Sequence, residues 1–254
     1  MLIPLYWTVV ASLQPEDEAF ALPPHWIPQH VTFDAYRSVF SMMPFAQQFL
    51  NSVLVTAAIV VCSLVVAAVA AYPLARLEFR GRSGIFGVLL SAMMIPMQIT
   101  VIPVYLLMRY LHLIDNRLSL VLTALVQVVS IFLLRQHFMT VPKEISEAAL
   151  LDGAGHLRIL LSIVLPSARP ALSALAIFTA QQYWNDFFWP NLLLTSSDKL
   201  TLPVGVFSLQ NQMQTGSPVI IFAAVSMIVV PLLVLFLFAQ RKLTEGVAFV
   251  GASR

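Results

Sequence analysis

The chain has 254 residues, of which 59% are hydrophobic and 10% are charged, and its formal net charge at pH 7 is +2. A soluble domain normally carries about a quarter charged residues, so this composition excludes an ordinary soluble protein, and the small charge argues against a nucleic-acid partner. The apolar residues lie in blocks close to the ~20 residues that cross a bilayer. These features predict an all-α membrane protein that crosses the bilayer several times.

The first segment, residues 1–13, is apolar but too short to cross a bilayer. It has neither the basic flank nor the small-residue cleavage site of a signal peptide. We interpret it as the outer half of a first spanning helix whose beginning is missing. Residues 14–45 are polar and punctuated by proline, and we expect an extracytoplasmic loop there with a short surface helix at 32–40.

Five further blocks are long and apolar enough to be read as complete spans. With the partial first helix they predict about six transmembrane helices. An outer loop is expected at 195–217 and a polar tail at 241–254. The five predicted spans cover residues 49–74, 85–108, 118–134, 171–189 and 219–239.

A polar, charged island lies between the fourth and fifth helices, at residues 142–166. Proline at position 142 suits the first turn of a helix. Asp152-Gly153 should end that helix, because glycine accepts the left-handed conformation that closes one. A second helix is expected at 154–165. Its apolar stripe is formed by Leu157, Leu160, Leu161 and Val164. The island is therefore predicted to be a helix-turn-helix with one apolar and one charged side.

The island carries a pattern of Glu-Ala-Ala, three residues, glycine, nine residues and Ile-x-Leu-Pro. It is formed by Glu147, Ala148, Ala149, Gly153, Ile163, Leu165 and Pro166, with Asp152 before the glycine. The pattern resembles the cytoplasmic EAA loop of bacterial ABC importer permeases, and the likeness extends from about residue 5 to residue 252. It points to the maltose-type carbohydrate-uptake permeases, most like the smaller of their two permease subunits. The alternative interpretation is an ordinary loop between membrane helices.

The basic residues predict the orientation, because lysine and arginine concentrate in cytoplasmic loops. With the C-terminus inside, four of the 14 basic residues fall outside: Arg37, Arg109, Arg117 and Lys199. The other ten fall in the cytoplasm: Arg76, Arg80, Arg82, Arg135, Lys143, Arg158, Arg169, Arg241, Lys242 and Arg254. This distribution predicts that the island is cytoplasmic.

The sequence predicts no catalytic centre, no metal site and no bound cofactor. Its five histidines are scattered, and it has no phosphate-binding glycine motif. Energy for uphill transport would therefore come from another polypeptide or from an ion gradient. The spans are almost free of charge, and ion-coupled carriers usually place acidic groups near the midplane. The absence of such a group argues against a secondary carrier.

The one acidic residue in a span belongs to the run Tyr183-Trp184-Asn185-Asp186. This run resembles the Trp-Asn-Asp-Phe motif in the fifth helix of the family. Two interpretations stay open. The residues are interface residues at the level of the lipid headgroups, or they line the translocation path near its outer mouth.

Three weaker resemblances concern connecting segments. A Met-x-Pro-x-Gln segment around Pro96 would bend its helix, as a gate or simply for packing. Ala75, Arg76, Phe79 and Gly81 match the family's Ala-Arg-x-x-Phe-x-Gly loop, whose arginines we interpret as cytoplasmic anchors. The tail after Gln240-Arg241 departs from the family's ending, which reaches the ATPases in maltose-type relatives.

The resemblance implies a single membrane domain over residues 1–254. It would be the permease subunit of an ATP-driven, binding-protein-dependent importer of sugars or oligosaccharides in the bacterial cytoplasmic (inner) membrane. The implied partners are a second homologous permease, two ATP-binding subunits, an extracytoplasmic solute-binding protein and membrane lipid. The island residues named above, Asp152 included, would couple the permease to the ATPases, which hydrolyse the ATP. The alternatives are an importer of glycerol-phosphate or an amino acid with the same architecture, and an ion-coupled carrier.

Overall fold

The computed structural model describes residues 2–212 and 217–251. The structure is 75% helical, and the described residues form no strand, which confirms the all-α prediction. The helices are α1 (Leu2–Ser12), α2 (Glu16–Ala19), α3 (Asp34–Met42), α4 (Phe45–Arg76), α5 (Arg82–Ala92), α6 (Met97–Tyr110), α7 (Leu118–Thr123), α8 (Val128–Thr140), α9 (Lys143–Leu151), α10 (His156–Ile159), α11 (Leu165–Ser167), α12 (Arg169–Trp184), α13 (Phe188–Leu193), α14 (Leu202–Gln212) and α15 (Pro218–Gly251). A π-helical turn, Leu160–Val164, joins α10 to α11.

Helix α4 is continuous over 32 residues, with Pro73 in its last turn. At a rise of about 1.5 Å per residue it is roughly 48 Å long, more than the ~30 Å hydrocarbon core of a bilayer. Among the described residues it is the one helix that alone is long and apolar enough to cross a membrane. Helix α4 agrees with the span expected at 49–74 and is longer than that span at both ends.

Two predicted spans are broken in the structure. The span at 85–108 divides into α5 and α6, which meet at 99°. Pro96 stands at the N-terminus of α6, because it lacks the N–H that would continue α5, whereas Pro103 stays inside α6. The span at 118–134 divides into α7 and α8. The prediction of one continuous helix over residues 118–134 was wrong. The residues between α7 and α8 include no proline or glycine that would mark the break.

A second bent pair connects the island to the fifth predicted span. The helical stretch His156–Ser167 and the following helix α12 meet at 78°. If each bent pair is one span, the described residues contain up to three spans by length and composition. The predicted start at residue 171 is close to the observed start of α12 at Arg169.

The C-terminal region contains more helix than predicted. The expected outer loop at 195–217 includes the 11-residue helix α14, in which Leu202, Val204 and Leu209 are among the buried residues. Gly205 lowers its intrinsic helix propensity, but packing of the apolar side chains outweighs this effect, and Pro203 lies in the first turn, where proline is tolerated. The expected polar tail is helical to Gly251 as the continuation of α15, and residues 252–254 lie outside the described residues.

The chain forms two compact units. Unit 1 comprises Met1–Val55, Ile114–Arg117 and Trp184–Leu237, and unit 2 comprises Thr56–Leu113, Leu118–Tyr183 and Phe238–Arg254. The core of unit 1 includes Val39, Phe45, Trp184, Leu202, Leu209 and Ala223. The core of unit 2 includes Ala71, Leu134, Phe138, Ile159, Val164 and Leu175.

Candidate functional site

The first half of the island is helix α9, which ends in a glycine turn. Gly153 has φ +81°. Its N–H donates to the Leu150 carbonyl at 3.0 Å, and the Ala154 N–H donates to the Ala149 carbonyl at 2.9 Å. These two bonds form a Schellman motif, in which a left-handed residue satisfies the last carbonyls of the helix. The helix stop predicted at Asp152-Gly153 is therefore confirmed, although Pro142 precedes the helix as its cap.

Helix α9 buries none of its residues. Ile145 is 47% exposed, Leu150 45% and Leu151 90%. Glu147 is also exposed, and no described residue forms an ion pair with it. The helix thus presents apolar side chains and a carboxylate on a surface that the described residues leave uncovered.

The second half of the island is buried on a different face from the predicted one. Leu160 and Val164 of the predicted stripe are buried, but Leu157 and Leu161 are 67% and 56% exposed. The buried side runs through Ile159, the last residue of α10, and through Leu160 and Val164, the two ends of the π-helical turn. Pro166 does not end the helix as expected, because the chain turns at Ala168, after α11.

The predicted motif residues divide into an inner and an outer group. Ala149, Ile163 and Leu165 pack against the core of unit 2, and Pro166 is half-buried. The outer group is exposed and comprises Glu147, Ala148, Asp152 and Gly153. The inner group fixes the island to the core of unit 2, and the outer group is available to another molecule.

Two side chains from the last two turns of α4 contact the chain before and after α9. Arg76 Nη2 donates to the Val141 carbonyl at 2.6 Å, immediately before the island. The Tyr72 hydroxyl lies 3.3 Å from His156 Nδ1, immediately after the glycine turn. Residues four apart on a helix share one face, so one face of α4 contacts both ends of the 141–156 stretch.

The structure gives individual roles to two members of the 183–186 run. Trp184 is buried, and its Nε1 donates to the Ile228 carbonyl at 3.2 Å. Asp186 Oδ1 accepts the Phe188 N–H at 3.1 Å, an Asx turn that leads into α13. Tyr183 is half-buried and Asn185 is exposed. Trp184 and Asp186 thus contribute to local structure.

Unit 1 contains a polar clamp that was not predicted from the sequence. Gln48, Asn51 and Ser52 lie on one face of α4 and bind the backbone of residues 197–202. Gln48 Nε2 donates to the Ser197 carbonyl at 2.9 Å, and Ser52 Oγ accepts the Leu202 N–H at 2.8 Å. Asn51 Nδ2 donates to the Asp198 and Leu200 carbonyls at 2.8 and 2.9 Å. The uncharged polar residues at the start of an apolar helix were the available signal.

Asp115 holds the same segment from the connection between α6 and α7. Its carboxylate accepts Lys199 Nζ at 2.8 Å and the Ser196 hydroxyl at 2.5 Å. It also accepts the backbone N–H groups of Ser196 and Thr195 at 2.9 and 3.0 Å. The bond from Lys199, followed by those from Ser196 and Thr195, holds the pKa of this carboxyl well below its usual range.

A second polar feature missed in the sequence lies at the break between α7 and α8. Gln127 Oε1 lies 3.4 Å from the Ser130 hydroxyl and 3.3 Å from the Thr179 hydroxyl, and both hydroxyls donate to it. Ser130 and Thr179 are buried. An amide in an otherwise apolar block was the signal for this break. Among the described residues, no group of three or more His, Cys, Asp or Glu side chains could hold a metal ion.

Comparison with known proteins relates this architecture to membrane transport. The profile of a family described as the binding-protein-dependent transport system inner membrane component matches residues 63–248. The chain is 33% identical over 251 residues to the arabinooligosaccharides transport system permease protein AraQ of Halalkalibacterium halodurans, covering 98% of this chain and 90% of that protein. It is 32% identical over 255 residues to the diacetylchitobiose uptake system permease protein NgcG of Streptomyces coelicolor, covering 98% and 83%.

A solved structure agrees with the sequence matches. A chain from a bacterial ABC transporter involved in the import of the acidic polysaccharide alginate superposes with a TM-score of 0.85 at 26% identity. The alignment covers 94% of this chain and 90% of that chain.

Proposed function

The chain belongs to the family of inner membrane components of binding-protein-dependent transport systems, and on this basis we propose that it is a permease subunit for oligosaccharide uptake. Members of the family are not enzymes, and separate subunits hydrolyse ATP. The chain is an integral protein of the cytoplasmic membrane and acts with a solute-binding protein. A second homologous permease and two ATP-binding subunits complete the proposed assembly.

The island is the proposed coupling element. The observation that carries this assignment is the division of its motif into a buried and an exposed group. The outer group would contact an ATP-binding subunit, where Glu147 offers a carboxylate and Leu151 an apolar side chain. The inner group would move with the core of unit 2. Closure of the ATP-binding subunits would then displace the island as a body and change the conformation of the permease.

The oligosaccharide substrate is supported by the relatives named above, whose substrates are arabino-oligosaccharides, diacetylchitobiose and alginate. Tyr183 and Asn185 would line the path, since aromatic faces and amides suit a sugar. A second candidate substrate is glycerol 3-phosphate. The chain is 30% identical over 255 residues to the sn-glycerol-3-phosphate transport system permease protein UgpE of Yersinia pestis, covering 97% of this chain and 90% of that protein.

Substitution of Gly153 tests the coupling assignment. A β-carbon at Gly153 would meet nothing within 4 Å, so the cost of substitution is the left-handed backbone and not a clash. Asparagine tolerates this conformation, whereas a β-branched residue does not. We expect Gly153→Val to lose co-purifying ATP-binding subunit, Gly153→Asn to retain it, and Gly155→Val, at an ordinary φ of −73°, to resemble the wild type. Equal retention by all three variants would refute the assignment.

The substrate is tested by uptake in proteoliposomes that contain the purified complex and its solute-binding protein. Labelled oligosaccharides and glycerol 3-phosphate are supplied in turn, with and without ATP. We expect ATP-dependent accumulation of an oligosaccharide. Accumulation of glycerol 3-phosphate alone would contradict the oligosaccharide substrate but not the ATP-driven importer. Accumulation without ATP would contradict the ATP-driven importer itself.

A further inference from the structure

The connection between α4 and α5, residues 77–81, is closed by an arginine that follows it. Arg82 Nε donates to the Leu74 carbonyl at 2.9 Å, Nη2 to the Ala75 carbonyl at 3.1 Å and Nη1 to the Leu77 carbonyl at 3.2 Å. The last carbonyls of a helix lack internal partners and attract cations. One guanidinium therefore ties the connection back onto the end of α4. We call residues 77–81 the capped loop.

A second arginine strengthens this closure from α8. Arg135 Nε also donates to the Leu74 carbonyl, at 2.9 Å, and its guanidinium lies 4.0 Å from the centre of the Phe86 ring. The arginines of the 75–82 stretch are therefore more than the cytoplasmic anchors that the sequence predicts. Arg82 and Arg135 fix the shape of the capped loop.

The outward side of the capped loop is exposed. Phe79 is 40% exposed, and its neighbours Glu78 and Arg80 are exposed as well. A large aromatic side chain with charges of both signs beside it has the composition of an interface anchor and its rim. Because the loop is already closed by Arg82, a partner would bind it at a small cost in conformational entropy.

The capped loop lies beside the start of α9. Lys143 Nζ is 3.8 Å from Glu78 Oε1, and Arg76 reaches the Val141 carbonyl as described above. Both partners of the ion pair are mostly exposed, so it contributes little energy, but it shows that the two segments are adjacent. A protein that covers α9 from its first turn therefore comes within reach of Phe79.

We propose that the capped loop is a second docking element for the ATP-binding subunit, next to α9, with Phe79 as its apolar anchor. The proposal rests on the proposed coupling role of the island, and it adds a contact outside residues 142–166. The occupant is the ATP-binding subunit because Glu78 of the loop lies 3.8 Å from Lys143 at the start of α9, the helix that the proposed function assigns to that subunit. The same contact also gives the Ala-Arg-x-x-Phe-x-Gly segment a function beyond orientation.

Cross-linking in the assembled transporter tests the proposal. Cys62 is replaced by serine, and one cysteine is introduced as Phe79→Cys, Leu151→Cys or Asp198→Cys. Each is labelled in native membrane vesicles with a maleimide that carries a photoreactive benzophenone. After illumination, adducts are identified by mass spectrometry. We expect an adduct with the ATP-binding subunit at positions 79 and 151 and none at position 198.

The outcomes separate this proposal from the proposed function. An adduct at 151 without one at 79 would overturn the second docking element and leave the coupling role of the island intact. Absence of an adduct at both positions would overturn both. Adducts at 79 and 151 together would support both.

A binding measurement tests the role of the Phe79 ring itself. We expect Phe79→Ala to reduce the co-purified ATP-binding subunit by about fivefold or more, as for an interface anchor. Phe79→Tyr should restore retention, and Tyr110→Ala, which removes an aromatic side chain that is 81% exposed elsewhere, should not change it. Wild-type retention by a folded Phe79→Ala variant, with an unchanged melting temperature, would refute the role.

Discussion

Gly205 of α14 lies so close to Gln48 of α4 that a larger residue would displace the amide. A β-carbon at Gly205 would be 1.7 Å from Gln48 Oε1 and 2.5 Å from its Cδ. Gln48 is 1% exposed, and its amide nitrogen already binds the Ser197 carbonyl. The amide cannot move aside without losing that bond. A single hydrogen atom in place of a side chain therefore sets the distance between two helices of unit 1.

We predict that Gly205→Ala lowers the free energy of unfolding by ~1–3 kcal/mol, the usual cost of overpacking. The measurement is thermal unfolding in detergent. Gly87→Ala in α5 is the matched control, since a β-carbon there meets nothing within 4 Å and alanine favours a helix. The combination Gln48→Ala with Gly205→Ala should cost less than the sum of the single changes. Equal melting temperatures for Gly205→Ala and Gly87→Ala would contradict the prediction.

A second prediction for a single residue concerns Asp115 and the dependence of stability on pH. Its pKa in the folded protein is lower than its ordinary value of 3.8, so ionised Asp115 stabilises the fold. This contribution is complete above the ordinary pKa and is lost as the pH falls below it. We expect the melting temperatures of the wild type and Asp115→Asn to differ fully above about pH 5 and to converge progressively as the pH falls below the ordinary pKa of 3.8. Asp198→Asn, an exposed residue of the same segment, is the control, and a difference that grows in acid would be evidence against the assignment.

At the level of elements, residue pattern predicted some helices and failed for others. The long uncharged run was sufficient to predict α4, because the length of an apolar run determines whether it can span a membrane. The glycine after α9 was sufficient to predict the end of that helix, because the local backbone conformation determines it. Helix α14 was missed because its stability comes from burial of Leu202 and Leu209, which local propensity does not contain. The break before α8 was missed because the contacts of Gln127 with Ser130 and Thr179 exist only in the folded chain.

The polar clamp on the 197–202 segment depends most on Asn51. Asn51→Ala would leave two backbone carbonyls without donors and remove the amide oxygen that Arg117 and Gln47 bind. We expect a loss of about 2–3 kcal/mol in stability, since unpaired buried polar groups are costly. Gln47→Ala, which removes one bond from an exposed residue, should cost roughly 1 kcal/mol or less. Thermal unfolding and limited proteolysis would measure both, and equal losses would mean that the Asn51 bonds to the segment are unimportant.

The candidate site was predictable in part for a similar reason. The motif pattern correctly located the helix and its stop at Gly153. It did not reveal that Leu157 and Leu161 are exposed, because two overlapping apolar stripes with helical spacing occur in the same stretch. The π-helical turn and the core of unit 2 select between them. The contacts of Tyr72 and Arg76 were equally hidden, since they join residues distant in sequence.

At the scale of the whole molecule, the distribution of basic residues predicts that the island and the C-terminus are cytoplasmic and that residue 198 lies outside. In a Cys62→Ser background, we expect Asp198→Cys to react with a membrane-impermeant maleimide on intact cells. Leu151→Cys, which replaces a residue that is 90% exposed, should react only after permeabilisation. The opposite labelling pattern would show that the topology is inverted. The island would then lie outside the cytoplasm, where it could not contact an ATP-binding subunit.

Arg76 and Tyr72 contact the chain just before α9 and just after the Gly153 turn, so both ends of the 141–156 stretch rest on neighbouring positions of one helix. A stretch anchored at two adjacent points can be exchanged as a cassette without lengthening or shortening the chain on either side. Permeases that keep an arginine and a tyrosine at these two positions should accept one another's cassette. Under the coupling role proposed above, recombination of this stretch would transfer the island's part of the contact with an ATP-binding subunit from one permease to another.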